Sequence, residues 1–525
     1  MVVTYRRSAI MLDLDVFFRE EGLVYAINSS KTTQSSLTAL KKTYEDNIVS
    51  LPKFDALTLD LKSFDWEDNG QDRNWWWQLQ SFPFLAHYRG AFDLLNEFER
   101  KIYLINCLDS IVNWVHKADD KTPLKWHDHA TAFRLRNVLL WMAFCVKNKL
   151  NIHLVAEKEL LYKFILEHCE WLLSDTNYSK HTNHGFDQAM MLLIASSMLN
   201  DSKFIKYAAT AERRLLDEID FAFTEEGVHK ENSPGYQKFM YQRLIQLKEL
   251  DVFGIKGLSN YIEGLIKKTR DFFAAITMPN GMLPMIGDTL FDTTGLFQPS
   301  EGIEIYDYSK SGYVVAKGFI KNKDFYFLFK NTHESNYHRH DDDLSIFLYY
   351  NGSVLLADGG LGSHNENTIE RKSIRSAFNH NCILLDGKKA IRDTALLEKK
   401  PIIRFLTQEH FYGESYMFGE KVRRSIDLTQ LDKGIIRIEN NAFSRNAKVN
   451  FISEGAIKVQ DNRFCIGDEC FLKLRISENS SSTSYFNKHS AFISKSYSNY
   501  ENLNNFGWNF STSISFDILL GGEHE

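Results

Sequence analysis

Histidines and carboxylates are concentrated in one short segment of the chain, YHRHDDD, which begins at Tyr337. Two of its members, His338 and His340, are two positions apart, and in a β-strand this spacing directs both imidazole rings to the same face. Asp358 and His380 lie farther along the chain, each beside another strand-like run. Neutral imidazoles and a carboxylate are ligands that hold Zn²⁺. The spacing equally permits a buried hydrogen-bonded network without a metal, and both alternatives stay open at this point.

Two other segments place polar side chains at the start of predicted helices. Asn183 and His184 open one helical run, and taken alone Asn183 is most simply a helix N-cap. Tyr236 ends the loop EGVHKENSPGY just before another run, where a tyrosine usually has a packing role. His127 and His129, in WHDHATAF, are two positions apart, so in a helix their rings diverge, and we interpret them as non-ligands.

The first half of the chain has helical periodicity. From about residue 90 to residue 278, apolar positions recur at helical spacing, and short polar connections such as NYSKHTN and NSPG join the runs. This pattern predicts an array of antiparallel helical hairpins. The clearest runs begin at Ala132, Glu157, Phe186, Ser202 and Tyr261.

After MPNGMLPMIGDT the pattern changes to short alternating runs rich in β-branched and aromatic residues. The runs are GYVVAKGFI, DFYFLFKN, LSIFLYYNGSVLLAD, NCILLDGKKAI, IIRFLTQEHFYG, GIIRIENNAF and AFISKSY, with YNGS and LDGK as hairpin turns. Short strands of this kind indicate a β-sandwich. We place the domain boundary near residue 300, which gives domains over residues 1–300 and 301–525, and we expect NSSSTS at Asn479 to be a surface loop.

The size and charge of the chain limit its function classes. A chain of 525 residues with 44% hydrophobic residues can build two hydrophobic cores. Its net charge of -6 and pI near 6.3 give no overall attraction for polyanions, so nucleic acid is not an expected partner. No segment is long and apolar enough to span a membrane, and Asp13, Asp15 and Arg19 interrupt the apolar run that a signal peptide needs. The chain as it stands is predicted to be cytoplasmic, or periplasmic if it is the trimmed form of an exported protein.

The six cysteines are scattered and match neither a zinc module nor a disulfide scaffold. Cys465 and Cys470 are close enough in sequence to form a disulfide, and their pairing stays open.

Several motifs in one order resemble those of a known family. They are GxxxExSxxY from Gly227 to Tyr236, HRHxD at His338, VLLADGG and FNHNCILLDG, with a fainter match in DRNWWWQLQSFPFLAHYRG near residue 75. The combination resembles the heparinase II/III-like polysaccharide lyases, including related alginate and uronate lyases, over about residues 180 to 390. The resemblance implies an N-terminal (α/α) toroid followed by a C-terminal antiparallel β-sandwich. It also implies cleavage of an acidic polysaccharide by β-elimination.

The resemblance further implies roles for individual residues. Asn183 matches the asparagine that engages the substrate carboxylate, and His184 matches a histidine found beside it in some branches. Tyr236 matches the tyrosine acid/base, His338 the catalytic histidine, and Glu231 a supporting position. A structural divalent metal, which we expect to be zinc, is implied at His340, Asp358 and His380.

These residue types suit the β-elimination of a uronic acid. Removal of the C5 proton creates an enolate, whose charge a hydrogen-bond donor such as Asn183 stabilises. A histidine titrates in the operating range, and a tyrosine takes part if neighbouring cations depress the pKa of its phenol. Tyr236 alone could serve both proton transfers in a syn elimination, so the sequence does not decide which residue is the base.

Other residues could contact the substrate. Arg339, Arg371 and Arg375 offer local positive charge for a polyanion, although ordinary surface residues are an equal alternative. Trp76 could stack on a pyranose ring, although one or two of the three neighbouring tryptophans should belong to the core.

Two other functions stay open beside the lyase. A glycoside hydrolase needs two facing carboxylates, for which Glu231 and Asp187 are the nearest candidates. A glycan-binding protein without activity is the third possibility. Among acidic polysaccharides, we favour a bacterial surface polysaccharide.

Overall fold

The structure of this chain, a computed structural model, describes residues 17–150, 155–254, 256–294, 302–332, 334–460, 463–475 and 482–521. Two compact units are distinguished within the chain. The helical unit comprises Met1–Phe221 and Gln246–Tyr261, and the sandwich unit comprises Ala222–Ile245 and Ile262–Glu525. The predicted boundary near residue 300, the segment up to residue 16 and the expected loop at Asn479 lie outside the described residues.

Helices form most of the described chain up to residue 276, as the periodicity predicted. The five runs identified from the sequence correspond to the helices Asp128–Lys147, Val155–Leu173, Asn183–Met198, Ser202–Ala222 and Lys256–Ile276. None of the described helices is apolar and long enough to cross a bilayer. A small sheet of β1 (Ile48–Val49) and β2 (Leu57–Thr58) accompanies them. The helices are α1 (Glu20–Asn28), α2 (Gln34–Tyr44), α3 (Arg73–Gln80), α4 (Pro83–Ala91), α5 (Glu97–Lys117), α6 (Asp128–Lys147), α7 (Val155–Leu173), α8 (Asn183–Met198), α9 (Ser202–Ala222), α10 (Pro234–Lys248) and α11 (Lys256–Ile276).

Two helices illustrate how the sequence specifies this region. Helix α5 begins with a capping box, in which the Asn96 side chain accepts from the Glu99 N–H at 2.9 Å and the Glu99 carboxylate accepts from the Asn96 N–H at 3.0 Å. Helix α8 is buried on every side from Gly185 to Met198. A helix without an exposed face lies in the interior of its unit, and the polar members Asp187 and Gln188 are hydrogen-bonded there.

The rest of the described chain is mainly antiparallel sheet, which confirms the predicted fold class. A five-stranded sheet has the order β3-β4-β5-β6-β7, and a larger sheet has the order β13-β14-β15-β17-β12-β11-β10-β9, with β16 paired to β17 and β8 to β12. A short helix, α12 (Ile369–Ile374), lies between β7 and β8. The strands are β3 (Glu304–Tyr308), β4 (Tyr313–Ile320), β5 (Lys323–Lys330), β6 (Ser345–Tyr350), β7 (Ser353–Leu356), β8 (Ile383–Leu385), β9 (Ile402–Phe405), β10 (His410–Ser415), β11 (Val422–Asp427), β12 (Ile435–Ser453), β13 (Ile457–Gln460), β14 (Arg463–Ile466), β15 (Cys470–Leu474), β16 (Thr483–Ser496) and β17 (Asn499–Leu520).

The five-stranded sheet is buried on both faces. Phe327 and Phe329 of β5 point into a core shared with the larger sheet, which contributes residues such as Phe516. Their neighbours Tyr326 and Leu328 point the other way and pack with residues of α11. Successive side chains of a strand alternate between faces, so one apolar run fills two cores. This explains why DFYFLFKN is apolar almost throughout.

The turns and the later strands differ in part from the expectation. Asn351 and Gly352 both have positive φ, 48° and 79°, so YNGS forms the predicted hairpin between β6 and β7. LDGK makes a turn, but β8 pairs with β12 and no strand directly follows the turn.

The long strands β16 and β17 were missed except for AFISKSY, because polar residues interrupt their alternation of apolar and polar residues.

Cys465 and Cys470 do not form a disulfide with each other. Cys470 lies opposite Ile466 in the β14–β15 ladder, whereas Cys465 lies opposite Phe471. The two side chains therefore point to opposite faces of the sheet, which rules out a disulfide in this register.

Candidate functional site

The side chains in the sandwich unit that could do chemistry converge on one buried carboxylate, Asp288, which is 2% exposed. His338 Nδ1 lies 2.8 Å from its Oδ2, and His340 Nε2 lies 2.7 Å from its Oδ1. Arg371 donates to both oxygens, at 2.6 and 2.9 Å. A carboxylate only accepts hydrogen bonds, so both histidines donate to it and their tautomers are fixed by it.

Asp288 is held in its ionised form. Burial acts to raise its pKa, but His340, His338 and Arg371 outweigh burial and hold the pKa well below its usual value. The remaining ring nitrogen of His338, Nε2, is the atom left for chemistry, and it lies 3.4 Å from the Glu231 carboxylate. Asp288 was missed in the sequence because a single aspartate in MPNGMLPMIGDT carries no pattern of its own.

Tyr236 is placed by the start of α10. Ser233 caps the helix by accepting from the Gly235 N–H at 3.2 Å, and Pro234 occupies the first helical position. Tyr236 therefore lies in the first turn of the helix and not in the loop before it. Its ring stacks on His338 with centroids 3.5 Å apart and 22° between the planes. The structure thus brings together two of the residues that the resemblance singled out.

The segment that carries His338 is a loop between β5 and β6, not a strand. His338 has a φ of 53°, in the left-handed region, and the Asn232 side chain donates to the backbone oxygens of Ser335 and Tyr337 at 2.9 and 3.0 Å. The expectation that strand alternation orients His338 and His340 is wrong. Their rings meet because both bind Asp288.

The phenol of Tyr236 is protonated at neutral pH. Burial, with the nearby carboxylates of Asp288 and Glu231, raises its pKa well above the ordinary value, and Arg371 opposes this without outweighing it. The condition that cations depress the pKa of this phenol is not met. The Tyr236 hydroxyl lies 3.1 Å from Nε2 of His364, a residue that belongs to none of the sequence motifs.

His340, Asp358 and His380 form a fully buried group whose potential ligand atoms lie within 4.8 Å of one another. His380 Nδ1 is 2.8 Å from Asp358 Oδ2. One polar atom of each residue has no hydrogen-bond partner: His340 Nδ1, Asp358 Oδ1 and His380 Nε2. Buried polar atoms without partners are costly, and a divalent cation would satisfy atoms of this type. A metal-ligating histidine commonly donates its other ring N–H to a carboxylate, as His340 does to Asp288. The residues present fit a metal.

The three arginines expected to attract a polyanion are engaged internally. Arg339 is 0% exposed and binds Asp342 and Asp343, and Arg371 is 2% exposed and binds Asp288. The prediction that these two contact substrate is therefore wrong. Arg375 is partly buried, pairs with Glu366, and donates twice to the Arg339 carbonyl, at 3.1 and 2.7 Å.

In the helical unit, Asn183 is the first residue of α8, but Thr182 is its N-cap, accepting from the Gly185 N–H at 3.1 Å. The expectation that Asn183 caps the helix is wrong. The Asn183 side chain is half-buried and has no hydrogen-bond partner among the residues that the structure describes. His184 Nδ1 lies 2.9 Å from Asp128, and its ring stacks on that of His129 at 3.7 Å.

His127, Asp128 and His184 form a second group with metal-ligand spacing. His127 is the N-cap of α6 and lies outside the helix, so the argument that its ring and that of His129 diverge within a helix does not apply. Arg73 contacts His127 Nε2 at 2.9 Å, and burial lowers the pKa of His127 to about 4. A neighbouring guanidinium and the positive ends of two helices oppose a cation here.

Two other sequence candidates belong to the core of the helical unit. Asp187 is 0% exposed and binds His129 Nε2 at 2.8 Å, so it cannot face a substrate as a hydrolase carboxylate. Trp76 is 2% exposed and packs against Trp75 and Phe64, so its ring has no free face for a sugar.

Residues 8–301 match the family described as Heparinase II/III N-terminus, and residues 303–469 match Heparinase II/III-like, C-terminal. The chain belongs to the heparinase II/III family. As a member of this family, it is a polysaccharide lyase. No curated protein matches the chain at a significant level.

Solved structures share its fold. A heparinase III structure is 15% identical with a TM-score of 0.72, covering 95% of this chain and 86% of its own. The heparan sulfate lyase HepC from Pedobacter heparinus is 13% identical with a TM-score of 0.71, covering 95% of this chain and 84% of its own. At this identity the likeness establishes the fold of the family, a helical toroid followed by a β-sandwich.

Proposed function

We propose that this lyase cleaves a uronic-acid-containing polysaccharide by β-elimination, with Tyr236 and His338 carrying the proton transfers. The observation that supports this best is the stack of the Tyr236 ring on the His338 ring. The Nδ1 of His338 is bonded to Asp288, which leaves its Nε2 as the base. A phenol that keeps its proton and an imidazole nitrogen oriented by a buried carboxylate are an acid and a base of suitable type.

The proposed reaction assigns one proton transfer to each residue. His338 Nε2 takes the proton from C5 of the uronic acid, the C4–O4 bond breaks as the C4–C5 double bond forms, and Tyr236 gives its proton to the departing O4. The raised pKa of Tyr236 favours the acid role, because the phenol is protonated when substrate binds. Glu231 has a supporting role, because its carboxylate, 3.4 Å from His338 Nε2, can accept from that nitrogen once it carries the proton.

The negative charge that develops on the substrate carboxylate needs a donor. We assign this role to Asn183, whose amide is half-buried and not engaged by other described residues, with His184 beside it. Such a donor stabilises the enolate more than the starting carboxylate, because charge increases there during proton removal.

We propose zinc as the divalent metal that His340, Asp358 and His380 would hold. Bound there, it would supply a fixed positive charge that stabilises the loop carrying His338, a structural role.

The proposed substrate is an acidic polysaccharide of a bacterial surface. Arg375 is the one of the three arginines that retains partial exposure. The hydrolase alternative loses one of its two carboxylates, because Asp187 is buried.

The test of the proposed function is the absorbance of an unsaturated uronate when purified protein meets a panel of acidic polysaccharides. We expect absorbance to rise with at least one of heparan sulfate, hyaluronan, alginate or a bacterial exopolysaccharide. Depolymerisation measured by size without any rise in absorbance would instead establish hydrolysis. Binding without turnover would establish a glycan-binding protein.

Metal removal is expected to affect stability more than the chemical step. Chelation, or His380→Ala, leaves buried ligands unsatisfied and should lower Tm by about 5 °C or more, since about 1 kcal/mol shifts Tm by about 2–4 °C in large domains. Metal content is measured by elemental analysis and Tm by calorimetry. His410→Ala, a half-buried histidine on β10 bonded to Ser425, is the matched control. If the purified protein contains no metal and chelator does not change its Tm, the proposed metal site is contradicted.

A further inference from the structure

His364 forms a chain of polar contacts with Tyr236 and Tyr497. It lies in the loop between β7 and α12, with its Nε2 3.1 Å from the Tyr236 hydroxyl. On its other side, Nδ1 is 3.4 Å from the Tyr497 hydroxyl, which also accepts from the His364 backbone N–H at 3.3 Å. The centroids of the His364 and Tyr497 rings are 5.6 Å apart. His364 is exposed, so this contact leads from Tyr236 towards solvent.

The proposed reaction creates a need for such a contact. After each elimination His338 has gained a proton and Tyr236 has lost one, so Tyr236 must be reprotonated before the next turnover. Tyr236 is half-buried, its ring is stacked on His338, and its hydroxyl oxygen contacts His364. His364 is the described side chain whose nitrogen lies within hydrogen-bond distance of that oxygen.

We propose that His364 returns a proton to Tyr236 after each elimination, and that Tyr497 holds the His364 ring in place for this transfer. The imidazolium form of His364 gives its Nε2 proton to the tyrosinate oxygen, and the neutral imidazole then regains a proton from solvent. His338 releases the proton taken from C5 to solvent, so each residue returns to its starting state. No oxidant or co-reactant is needed. His364 acts through Tyr236, so it is a positioning residue, and the proposal rests on the function proposed above for Tyr236.

The alternative is that His364 only holds the phenol by a hydrogen bond. Glutamine distinguishes the two roles, because its amide reaches about as far as Nε2 and still bonds the phenol, yet carries no proton at neutral pH. A relay is lost in His364→Gln, whereas a purely structural contact is largely kept. Imidazole added to the solution can replace a missing relay in His364→Ala, but it cannot restore a structural contact by donating a proton.

The experiment measures kcat and KM of the full-length His364→Gln and His364→Ala variants on a substrate found active in the panel. We expect His364→Gln to lower kcat about 10²-fold with KM nearly unchanged, in the range for loss of an assisted proton transfer. We expect imidazole to restore kcat of His364→Ala in a concentration-dependent manner. His489→Gln, an exposed histidine on β16, is the matched control with wild-type kcat.

Three results would overturn the relay: wild-type kcat in His364→Gln, a change confined to KM, or a loss in His364→Ala that imidazole does not restore. Melting curves of all variants establish that each is folded. Tyr236→Phe is run alongside. A wild-type protein that forms no unsaturated product, or an active Tyr236→Phe, overturns the proposed function and the relay together. An inactive Tyr236→Phe with an unaffected His364→Gln overturns the relay alone.

Discussion

Replacing Tyr236 with phenylalanine is expected to lower kcat about 10³-fold while the protein stays folded. The substitution removes the proton donor, and general acid or base assistance contributes about 10²- to 10⁴-fold. The phenyl ring can keep its stack on His338 and its contact with Phe239, so the free energy of unfolding should change by less than about 1 kcal/mol. Initial rates of unsaturated-uronate formation and a thermal melt measure the two quantities.

The matched control is Tyr241→Phe on the same helix, whose ring packs against Phe273 away from the polar cluster. We expect it to retain wild-type kcat. Because burial raises the pKa of Tyr236, any loss of activity caused by its deprotonation should lie above about pH 10, the ordinary value for tyrosine. Tyr236→Phe with wild-type kcat, or a loss of activity that tracks a loss of folded protein, would contradict the assigned role.

The sequence predicted the fold well wherever burial imposes a simple period. Helices α6 to α9 carry regular apolar spacing, and β4 to β6 are apolar because their sheet is buried on both faces. Strand β17 was missed because polar residues interrupt its 22-residue length, and its position depends on pairing with β12, β15 and β16. Register between distant strands is a tertiary property that local periodicity does not encode.

The candidate site was predicted less completely, for a related reason. Motif matching located Tyr236 and His338, but not the groups that orient them. Asp288 is 50 residues from His338 and His364 is 128 residues from Tyr236 in sequence, so only folding brings each pair together. A single aspartate or histidine in the sequence carries no pattern that identifies which distant residue it will contact. The residues that support a site are therefore harder to read from one sequence than those that perform its chemistry.

The prediction for the arginines has the opposite error, because it assigned substrate contact to residues that support the site from inside the protein. Arg339 and Arg371 were expected to attract a polyanion because they offer local positive charge. In the structure their charges are used to stabilise buried carboxylates, including Asp288. Buried ion pairs are costly to desolvate and are retained when they fix a geometry, which is the role we infer for Arg371.

Asp288→Asn is expected to have the largest combined effect on stability and rate. The amide offers one acceptor oxygen in place of two, and its NH₂ group opposes donors from His338, His340 and Arg371. Breaking a buried ion pair from one side costs about 3–5 kcal/mol, because the other charge is left uncompensated. We expect kcat to fall about 10²- to 10⁴-fold as well, since His338 loses the partner that sets its tautomer.

Two further variants separate the effect of Asp288→Asn on kcat from its effect on the free energy of unfolding. His338→Ala removes the proposed base directly and should abolish cleavage with a smaller loss of stability, because its side chain is 21% exposed. Asp292→Asn, in the same segment and paired with Lys238 at the surface, should change the free energy of unfolding by at most about 1 kcal/mol and leave kcat unaltered. Rates are measured well below the Tm of each variant, and denaturant titration gives the free energies of unfolding. If folded Asp288→Asn keeps wild-type kcat, then His338 does not depend on this carboxylate, and its other contacts, with Tyr236 and Glu231, are sufficient to orient it.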